Sequence, residues 1–466
     1  SGEANLRVPL APLAYLKGAL TGRLFTPPTD LQWQNGTAIP GVISTIPINA
    51  RVVSHSLLTS FDDNKLIVFR ELVFELVDRE LDYQPGDAFY IVPRNDDNEV
   101  QFLISRLGLG ARADMEYRMF VDPETKKEGA TVPPFIPPIS SIRHLLTFCL
   151  DIRRAPGRPL LRVLADSATD EKERRRLLEL CSAQGVAEFT SFIRQAALSL
   201  VDILIAFPSV KPKIDRLIEN LPRLMPRPYS FSSCREQAER RLRFAYSIRE
   251  EEAVNGRRYE RVGVQTKRLM ELQIGDEVQL LEKEAARFRL PPLGSSLDIA
   301  LYTPLVLIGP GTGISTFLSF IRLIAHHVRQ GNSEKEKILS TPRLVFFGCR
   351  NREKDYIYRE ELEGFEREGM IRRVYLAESG VEGRPKYVQD CLRECASEVM
   401  TLLRSTESSQ YPARVYVCGD AAGMSKDLLE SFVNLAAQEY GMALPEARKH
   451  IMELKKTDRY IEDVWS

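Results

Sequence analysis

The sequence predicts a multi-domain protein of α+β and α/β class: an antiparallel β-barrel, a mostly helical domain inserted in it, and a doubly wound parallel sheet. Three observations predict it. Strand-like runs in residues 48–95 break off and resume in 223–298, with helical periodicity between them. From Thr303 onward, short apolar runs alternate with helical patterns, which requires parallel strands joined by right-handed crossovers. At the head of that alternation, the apolar run 305–308 stops on Gly309-Pro-Gly-Thr-Gly313, and Ile314, Phe317, Leu318 and Ile321 follow at helical spacing.

Residues 1–47 are rich in Pro, Gly and Thr and read as a linker or irregular lead-in. Strands begin near Ala50, with Leu66-Ile-Val-Phe69 and Leu72-Val-Phe-Glu-Leu-Val77, and Pro85-Gly86-Asp87 marks a turn between two of them. Residues 96–222 read as a helical connecting domain, entered through prolines 133, 134, 137 and 138. The barrel resumes with Leu242-Arg-Phe-Ala-Tyr-Ser-Ile248 and, after Gly275, Asp276-Glu-Val-Gln-Leu-Leu281. The last domain, 299–466, carries further strands at 343–347, 371–376 and 414–418.

Composition narrows the function. A chain of 466 residues has length for two or three domains. With 44% hydrophobic and 27% charged residues, it is an ordinary globular sequence rather than a disordered one. Lys plus Arg (64) equals Asp plus Glu (64), so no net field draws the chain to nucleic acid. No apolar run approaches the roughly 18 residues needed to cross a bilayer, and no basic-then-apolar leader opens the chain. No membrane partner is expected, and a cytoplasmic location is. Seven scattered cysteines, an odd number, point to a reducing compartment without disulfides. Cys391 and Cys395 lie one helical turn apart without a second pair or a histidine cluster, so no metal site is expected. The histidines (55, 144, 326, 327, 450) form no nucleophile-activating pattern.

The glycine turn is the strongest chemical signal. Strand, glycine-rich turn and helix aim backbone N–H groups and a helix N-terminus at an anion. Glycines serve there because a Cβ would hold phosphate off the backbone. The spacing matches neither Gly-x-Gly-x-x-Gly nor the phosphate loop ending in Gly-Lys-Ser/Thr, and a plain tight turn would account for it in isolation. Ligands of such a sheet gather at the carboxyl ends of its strands. Gly309 to Gly313, Gly348-Cys-Arg350, residues 377–389 and Cys418-Gly-Asp-Ala421 all fall there.

Seven motifs occur in order: Arg227-Pro-Tyr-Ser230; Gly263-Val-Gln-Thr266; Gly309-Pro-Gly-Thr-Gly-Ile314; Phe346-Phe-Gly-Cys-Arg350 with Tyr356-Ile-Tyr-Arg-Glu-Glu361; Lys386-Tyr-Val-Gln389; Tyr416-Val-Cys-Gly-Asp-Ala421; and Asp463-Val-Trp-Ser466. From about residue 48 onward, this set resembles the reductase half of the diflavin oxidoreductases, relatives of cytochrome P450 reductase and ferredoxin–NADP reductase. Tyr83-Gln-Pro-Gly-Asp-Ala-Phe89, Lys126-Lys-Glu-Gly-Ala-Thr-Val-Pro133, residues 173–185 and Leu221-Pro-Arg-Leu-Met-Pro-Arg-Pro-Tyr-Ser230 are similar to segments of the methionine synthase reductase branch.

The resemblance implies an FAD-binding barrel, a helical connecting domain and an NADPH-binding domain. It gives Arg227 to the flavin pyrophosphate, a task suited to a fixed, always-charged fork of donors. Pro228 and Tyr229 would lie along the isoalloxazine, and Ser230 would reach its N5 edge. Gly263, Val264, Gln265 and Thr266 would present donors to the pyrophosphate. Ala245, Tyr246 and Ser247 would run beside the flavin through their backbone, and Trp465 would cover its other face. Gly309, Gly311, Thr312 and Gly313 would hold the NADPH pyrophosphate, with Cys349 and Arg350 nearby. Ser379, Arg384, Lys386, Tyr387, Val388 and Gln389 would meet the 2′-phosphate region, supported by Asp427 and Arg70. Ser230, Cys418, Asp463 and Trp465 would surround the hydride path. An inert core thiol is an equal reading for Cys349 and Cys418, and helix capping one for Asp420.

Two positions depart from the family pattern. Where it has Ser-Arg gripping the 2′-phosphate, this chain has Ser379-Gly380 after Glu378, which adds a negative charge nearby, so Arg384 and Lys386 are the expected substitutes. Ser315-Thr316 stands where Ala-Pro is usual, an exchange expected to be tolerated at a helix N-terminus. The implied activity is hydride transfer from NADPH to FAD, then single electrons to a flavodoxin-like FMN domain absent from this chain. Methionine synthase, reactivated at its cobalamin, is the implied acceptor. A P450-reductase-like enzyme serving a heme or iron–sulfur acceptor is the alternative within the class. A docking module without chemistry is the alternative outside it, and Ser230, Cys418, Asp463 and Trp465 weigh against that.

Overall fold

A computed structural model of the chain describes residues 5–60, 67–254, 256–257, 260–291, 298–331, 333–405, 407, 409–420 and 422–465. Leu66, Ala421 and Ser466, each at the end of a segment named above, lie outside them. Two compact units emerge, Ser1–Pro47 with Ile91–Arg227 and Arg249–Glu271, and Ile48–Tyr90 with Pro228–Ile248 and Leu272–Ser466.

The first unit is mainly helical because its helices carry start signals and apolar stripes. Asp96 accepts the amides of Asn98 and Glu99 and opens the helix Asp97–Arg106. Asp170 does the same for Glu171–Cys181, and Ser199 with Asp202 forms a reciprocal capping box before Leu200–Ala206. Leu103, Ile104, Leu145, Leu161, Leu177 and Leu204 from these and neighbouring helices share one core. Within the stretch read as lead-in, Leu16–Leu24 forms a strand paired antiparallel with Met115–Val121, which in turn pairs with Ile139–Ser140. Only Leu16 of that strand is buried, so the alternation that betrays a strand is missing from its sequence.

The second unit holds two sheets. The first is six-stranded, in the order Arg227–Ser230, Ala88–Ile91, Glu277–Lys283, Val42–Leu57, Val68–Leu76, Arg241–Ile248. Val68–Leu76 runs antiparallel to both its neighbours. Ser232, just past the first edge strand, donates to the carbonyl of Arg243 on the last at 2.8 Å. The sheet thus curls toward closure as a near-barrel. Aromatic rings fill it: Phe89 meets Phe231 at 4.9 Å and Phe244 at 5.2 Å, and Tyr83 stacks on Phe231 at 3.7 Å.

The second sheet is parallel, in the order Arg373–Glu378, Arg343–Cys349, Leu305–Ile308, Arg414–Asp420, Tyr460–Trp465. Leu305 to Ile308 are fully buried, as a central strand covered on both faces must be. The chain leaves this strand toward one edge, then returns to its other side with Arg414–Asp420. That reversal opens a crevice at the carboxyl ends of the two strands.

A charged network ties the sheets of this unit together. The Arg322 guanidinium, almost wholly buried, donates to both oxygens of Glu361 at 2.8 and 2.7 Å and to the carbonyl of Ser232. Glu71 accepts from Arg243 at 2.9 Å and from the Tyr358 hydroxyl at 2.6 Å. Breaking a buried pair by removing one partner costs about 3–5 kcal/mol, because the other charge is left unpaired. Glu361→Ala is therefore expected to shift the urea unfolding midpoint strongly downward. A midpoint within error of wild type would mean that Arg322 finds solvent.

Candidate cofactor sites

In the first unit, Gly263, Arg227 and Thr266 come together. A Cβ on Gly263 would lie 3.7 Å from Nη1 of Arg227 and 3.8 Å from Oγ1 of Thr266. A guanidinium, a hydroxyl and the start of the helix Val264–Glu271 thus surround a backbone open to close approach. Beside them, Nε2 of the buried Gln265 has no hydrogen-bond partner, a donor kept for something else. Such a cluster fits a doubly charged pyrophosphate.

Sequence reasoning missed what holds this turn. Arg261 pairs with the fully buried Asp202 at 2.9 Å, and Arg153 pairs with Glu99 at 2.7 Å while reaching the carbonyl of Val262 at 3.4 Å. Lys267 closes on Asp96, so that the cap of one helix anchors the next. Single charged residues up to 171 positions apart give no local signal of this kind.

In the second unit the glycine turn lies where expected, at the mouth of the crevice. A Cβ on Gly313 would fall 2.0 Å from the carbonyl of Cys418, and one on Gly309 would fall 2.7 Å from the Phe317 ring. Gly311 has φ +57°, the left-handed conformation glycine adopts without cost. Thr312 precedes the helix Gly313–Arg329 without capping it through its side chain. Phe69 approaches the turn at 3.6 Å from the Gly311 Cβ position, and the next residue, Arg70, has a buried Nε without a partner. The cradle and the unpartnered donor fit a dinucleotide.

Along the crevice, the terminal strand brings Asp463 opposite Cys418 and Trp465 opposite Asp420. Asp463 and Trp465 are two residues apart and so share a face of the strand. Burial, then the charge of Asp463, push the Cys418 thiol up, so the sulfur stays protonated at neutral pH. Its S–H donates to Oγ1 of Thr316 at 3.6 Å. The threonine that departs from the family pattern therefore orients the thiol. Burial also raises the pKa of Asp463, against the pull of Lys283.

Tyr229 is half-buried and leans on the barrel's aromatic core, 5.1 Å from Phe244. Ser230 is half-buried at the end of the same strand. Among the described residues no hydrogen bond joins it to Cys418 or Asp463. The strand Arg241–Ile248 carries Ala245 and Tyr246 buried and Ser247 half-buried, and the Tyr246 hydroxyl is bonded to His55 Nε2 at 2.8 Å. The side chain is thereby committed, which leaves backbone contacts for a ligand.

Gathered at the carboxyl ends of Arg343–Cys349 and Arg373–Glu378 are Cys349, Arg350, Ser379, Arg384 and Lys386 to Gln389. Burial pushes the Cys349 thiol up, which leaves it inert. Ser379 and Gly380 donate their amides to the carbonyls of Cys349 and Arg350 at 3.0 and 2.8 Å. Lys386 is exposed with its Nζ 5.2 Å from the Tyr387 ring, and Val388 is buried. Oε1 of Gln389 is buried without a partner. Asp427 is exposed on the helix Ala422–Tyr440.

Family models match both halves. The FAD binding domain matches residues 42–267, and the oxidoreductase NAD-binding domain matches residues 307–429. Fold, site and matches define the class: a flavoprotein oxidoreductase with FAD and a nicotinamide dinucleotide as cofactors. Methionine synthase reductase of Caenorhabditis elegans is 45% identical over 100% of the chain and 67% of its own length. That of Bos taurus is 33% identical over 99% of the chain and 66% of its length. NADPH–cytochrome P450 reductase of Dictyostelium discoideum is 30% identical over 90% of the chain and 58% of its length. The chain thus spans about two thirds of these methionine synthase reductases, and it belongs to the methionine synthase reductase family, within the diflavin reductases.

Proposed function

We propose that this chain accepts hydride from NADPH and passes electrons singly to a flavodoxin-like FMN domain of a longer protein, for reactivation of cobalamin-dependent methionine synthase. The contact between Gly313 and Cys418 carries the reading, because it closes the glycine cradle onto the strand that bears the thiol. When bound, FAD supplies the conversion of a two-electron hydride into single electrons. The residues supply position and field. Arg227, Gly263 and Thr266 would anchor one pyrophosphate, and Gly309, Gly311, Thr312 and Gly313 the other. Tyr229 would hold one flavin face and Trp465 the opposite one. Cys418 remains a neutral thiol fixed by Thr316, and Asp463 stands in register with it on the neighbouring strand.

Asp463 should give the reaction an acid limb. Its pKa, raised by burial, means that the carboxylate takes up a proton at a higher pH than an ordinary aspartate does. Hydride transfer is expected to slow as pH falls through that value and to level off above it. Asp463→Asn should hold the low rate at every pH, in stopped-flow reduction by NADPH. A variant that keeps the acid limb would place the titrating group elsewhere.

The test of the whole reading is a reconstitution. The FAD-loaded chain with NADPH is expected to reduce ferricyanide but not methionine synthase cobalamin, and addition of the FMN domain should restore the second reaction. Transfer to a heme acceptor in preference to the cobalamin would favour the P450-reductase-like alternative. A chain that takes up no flavin would favour a docking module.

A further inference from the structure

The basic cluster at the ends of Arg343–Cys349 and Arg373–Glu378 contains a residue the motifs did not single out. Arg352, on the loop after the first of these strands, donates Nε and Nη2 to Oε2 of Glu378 at 3.1 and 2.8 Å. Its backbone N–H donates to Oε1 of the same carboxylate at 3.0 Å. Arg384, at the far end of the next loop, pairs with the same Oε2. One buried carboxylate oxygen therefore gathers two guanidiniums from two loops. Its side chain is 1% exposed, whereas those of Arg352 and Arg384 are 38% and 43% exposed. The charges that remain accessible are the positive ones.

The loop between them is closed at its neck. Glu378 donates its amide to the carbonyl of Pro385 at 2.7 Å, and Lys386 follows directly. Gly380 lies within this loop and can bear no cation where it stands. A Cβ there would come 2.7 Å from the carbonyl of Arg350, so any side chain would displace backbone. Positive charge in this corner must come from other positions.

We propose that Arg352 is a specificity-determining residue for the 2′-phosphate of NADPH, and that Glu378 is the positioning residue that presents Arg352 and Arg384 to it. The inference rests on the NADPH reading above. Arg352, Arg384 and Lys386 bring three positive charges and Glu378 one negative, so these four side chains together carry two net positive charges. A phosphate monoester with a second pKa near ~6 approaches two negative charges at neutral pH. Arg352 has Nη1 left over after its bonds to Glu378, and a guanidinium's rigid fork can hold a carboxylate and a phosphate on different edges. Sequence alone makes Glu378 a repulsive charge beside the phosphate. Burial raises its pKa, but the donors of Arg352 and Arg384 outweigh this and bring it to about 2. It is thus an ionised strut, neutralised by the arginines it holds.

The test measures binding of 2′,5′-ADP and 5′-AMP to the FAD-loaded chain by calorimetry, beside KM and kcat for NADPH and NADH. Arg352→Ala is expected to weaken 2′,5′-ADP about 10- to 100-fold, the range for loss of a hydrogen bond to a charged group. 5′-AMP and NADH should shift by less than about twofold, and Arg352→Lys should recover part of the loss. Glu378→Gln supplies the sharper test. It makes the corner more positive, so a purely repulsive Glu378 predicts tighter 2′,5′-ADP. A positioning Glu378 predicts weaker 2′,5′-ADP, because both arginines lose their anchor. Tighter binding in Glu378→Gln, or equal losses for both ligands in Arg352→Ala, would overturn the inference. A wild-type chain that binds the two ligands alike would overturn the NADPH reading instead.

Discussion

Trp465→Ala is expected to raise turnover with NADH far more than turnover with NADPH. Trp465 ends the terminal strand on the face that bears Asp463 and is 38% exposed. If the indole covers the flavin, a nicotinamide reaches N5 only after the indole has left. Removing a stacked aromatic costs about 1–3 kcal/mol, by analogy with base–aromatic stacking, or roughly 5- to 150-fold in an equilibrium. A coenzyme must recover that cost through contacts remote from the reacting atoms. NADPH has its 2′-phosphate and the cluster of Arg352, Arg384 and Lys386 to draw on. NADH has neither, so the truncation should help NADH by most of that factor. Release of the oxidised nicotinamide should slow, since nothing displaces it. Stopped-flow reduction of the FAD by each coenzyme reads the ratio, and an unchanged NADH/NADPH ratio would mean that Trp465 is not the gate.

Arg227→Ala together with Thr266→Ala should strip FAD from the chain. Each substitution removes a partner of a doubly charged pyrophosphate at the turn where both meet Gly263. A hydrogen bond to a charged group is worth about 1.5–3 kcal/mol, or roughly one to two decades of affinity. The pair, sharing one ligand, should lose about two to three decades rather than the full sum. Flavin fluorescence after gel filtration measures the occupancy. Full occupancy in the double variant would place the pyrophosphate elsewhere. Lys267→Ala offers a contrast, because it frees Asp96 and loosens the turn without touching the phosphate. It should therefore weaken FAD less than Arg227→Ala does.

What could be read from the sequence was what repeats locally. The run 305–308 and the glycines after it gave the central strand and the crevice, because buried strands and tight turns leave contiguous patterns. The ends of the terminal strand were harder to read. Asp463 and Trp465 were legible as a motif, but their register against Cys418 and Asp420 depends on a strand pairing that no short window contains. Leu16–Leu24 escaped notice because seven of its nine residues are exposed, so no alternation of buried and exposed positions marks it. In the sequence Glu378 shows only as a negative charge. Its two arginines lie 26 positions upstream and 6 downstream, and only the fold folds them onto one oxygen. Thr316 is a similar case: a substitution expected to be tolerated proves to be the acceptor for the Cys418 thiol.

The central claim is that a nicotinamide delivers hydride to a flavin held by this chain, in the crevice lined by Cys418 and Asp463. The most direct measurement mixes the FAD-loaded chain, without oxygen, with NADPH carrying deuterium or protium at the transferred position. The account predicts that the flavin absorbance bleaches with both, more slowly with deuterium, and that Asp463→Asn slows both while FAD occupancy stays full. Bleaching at equal rates for the two isotopes in the slow variant, or a flavin that NADPH does not bleach at all, would contradict it.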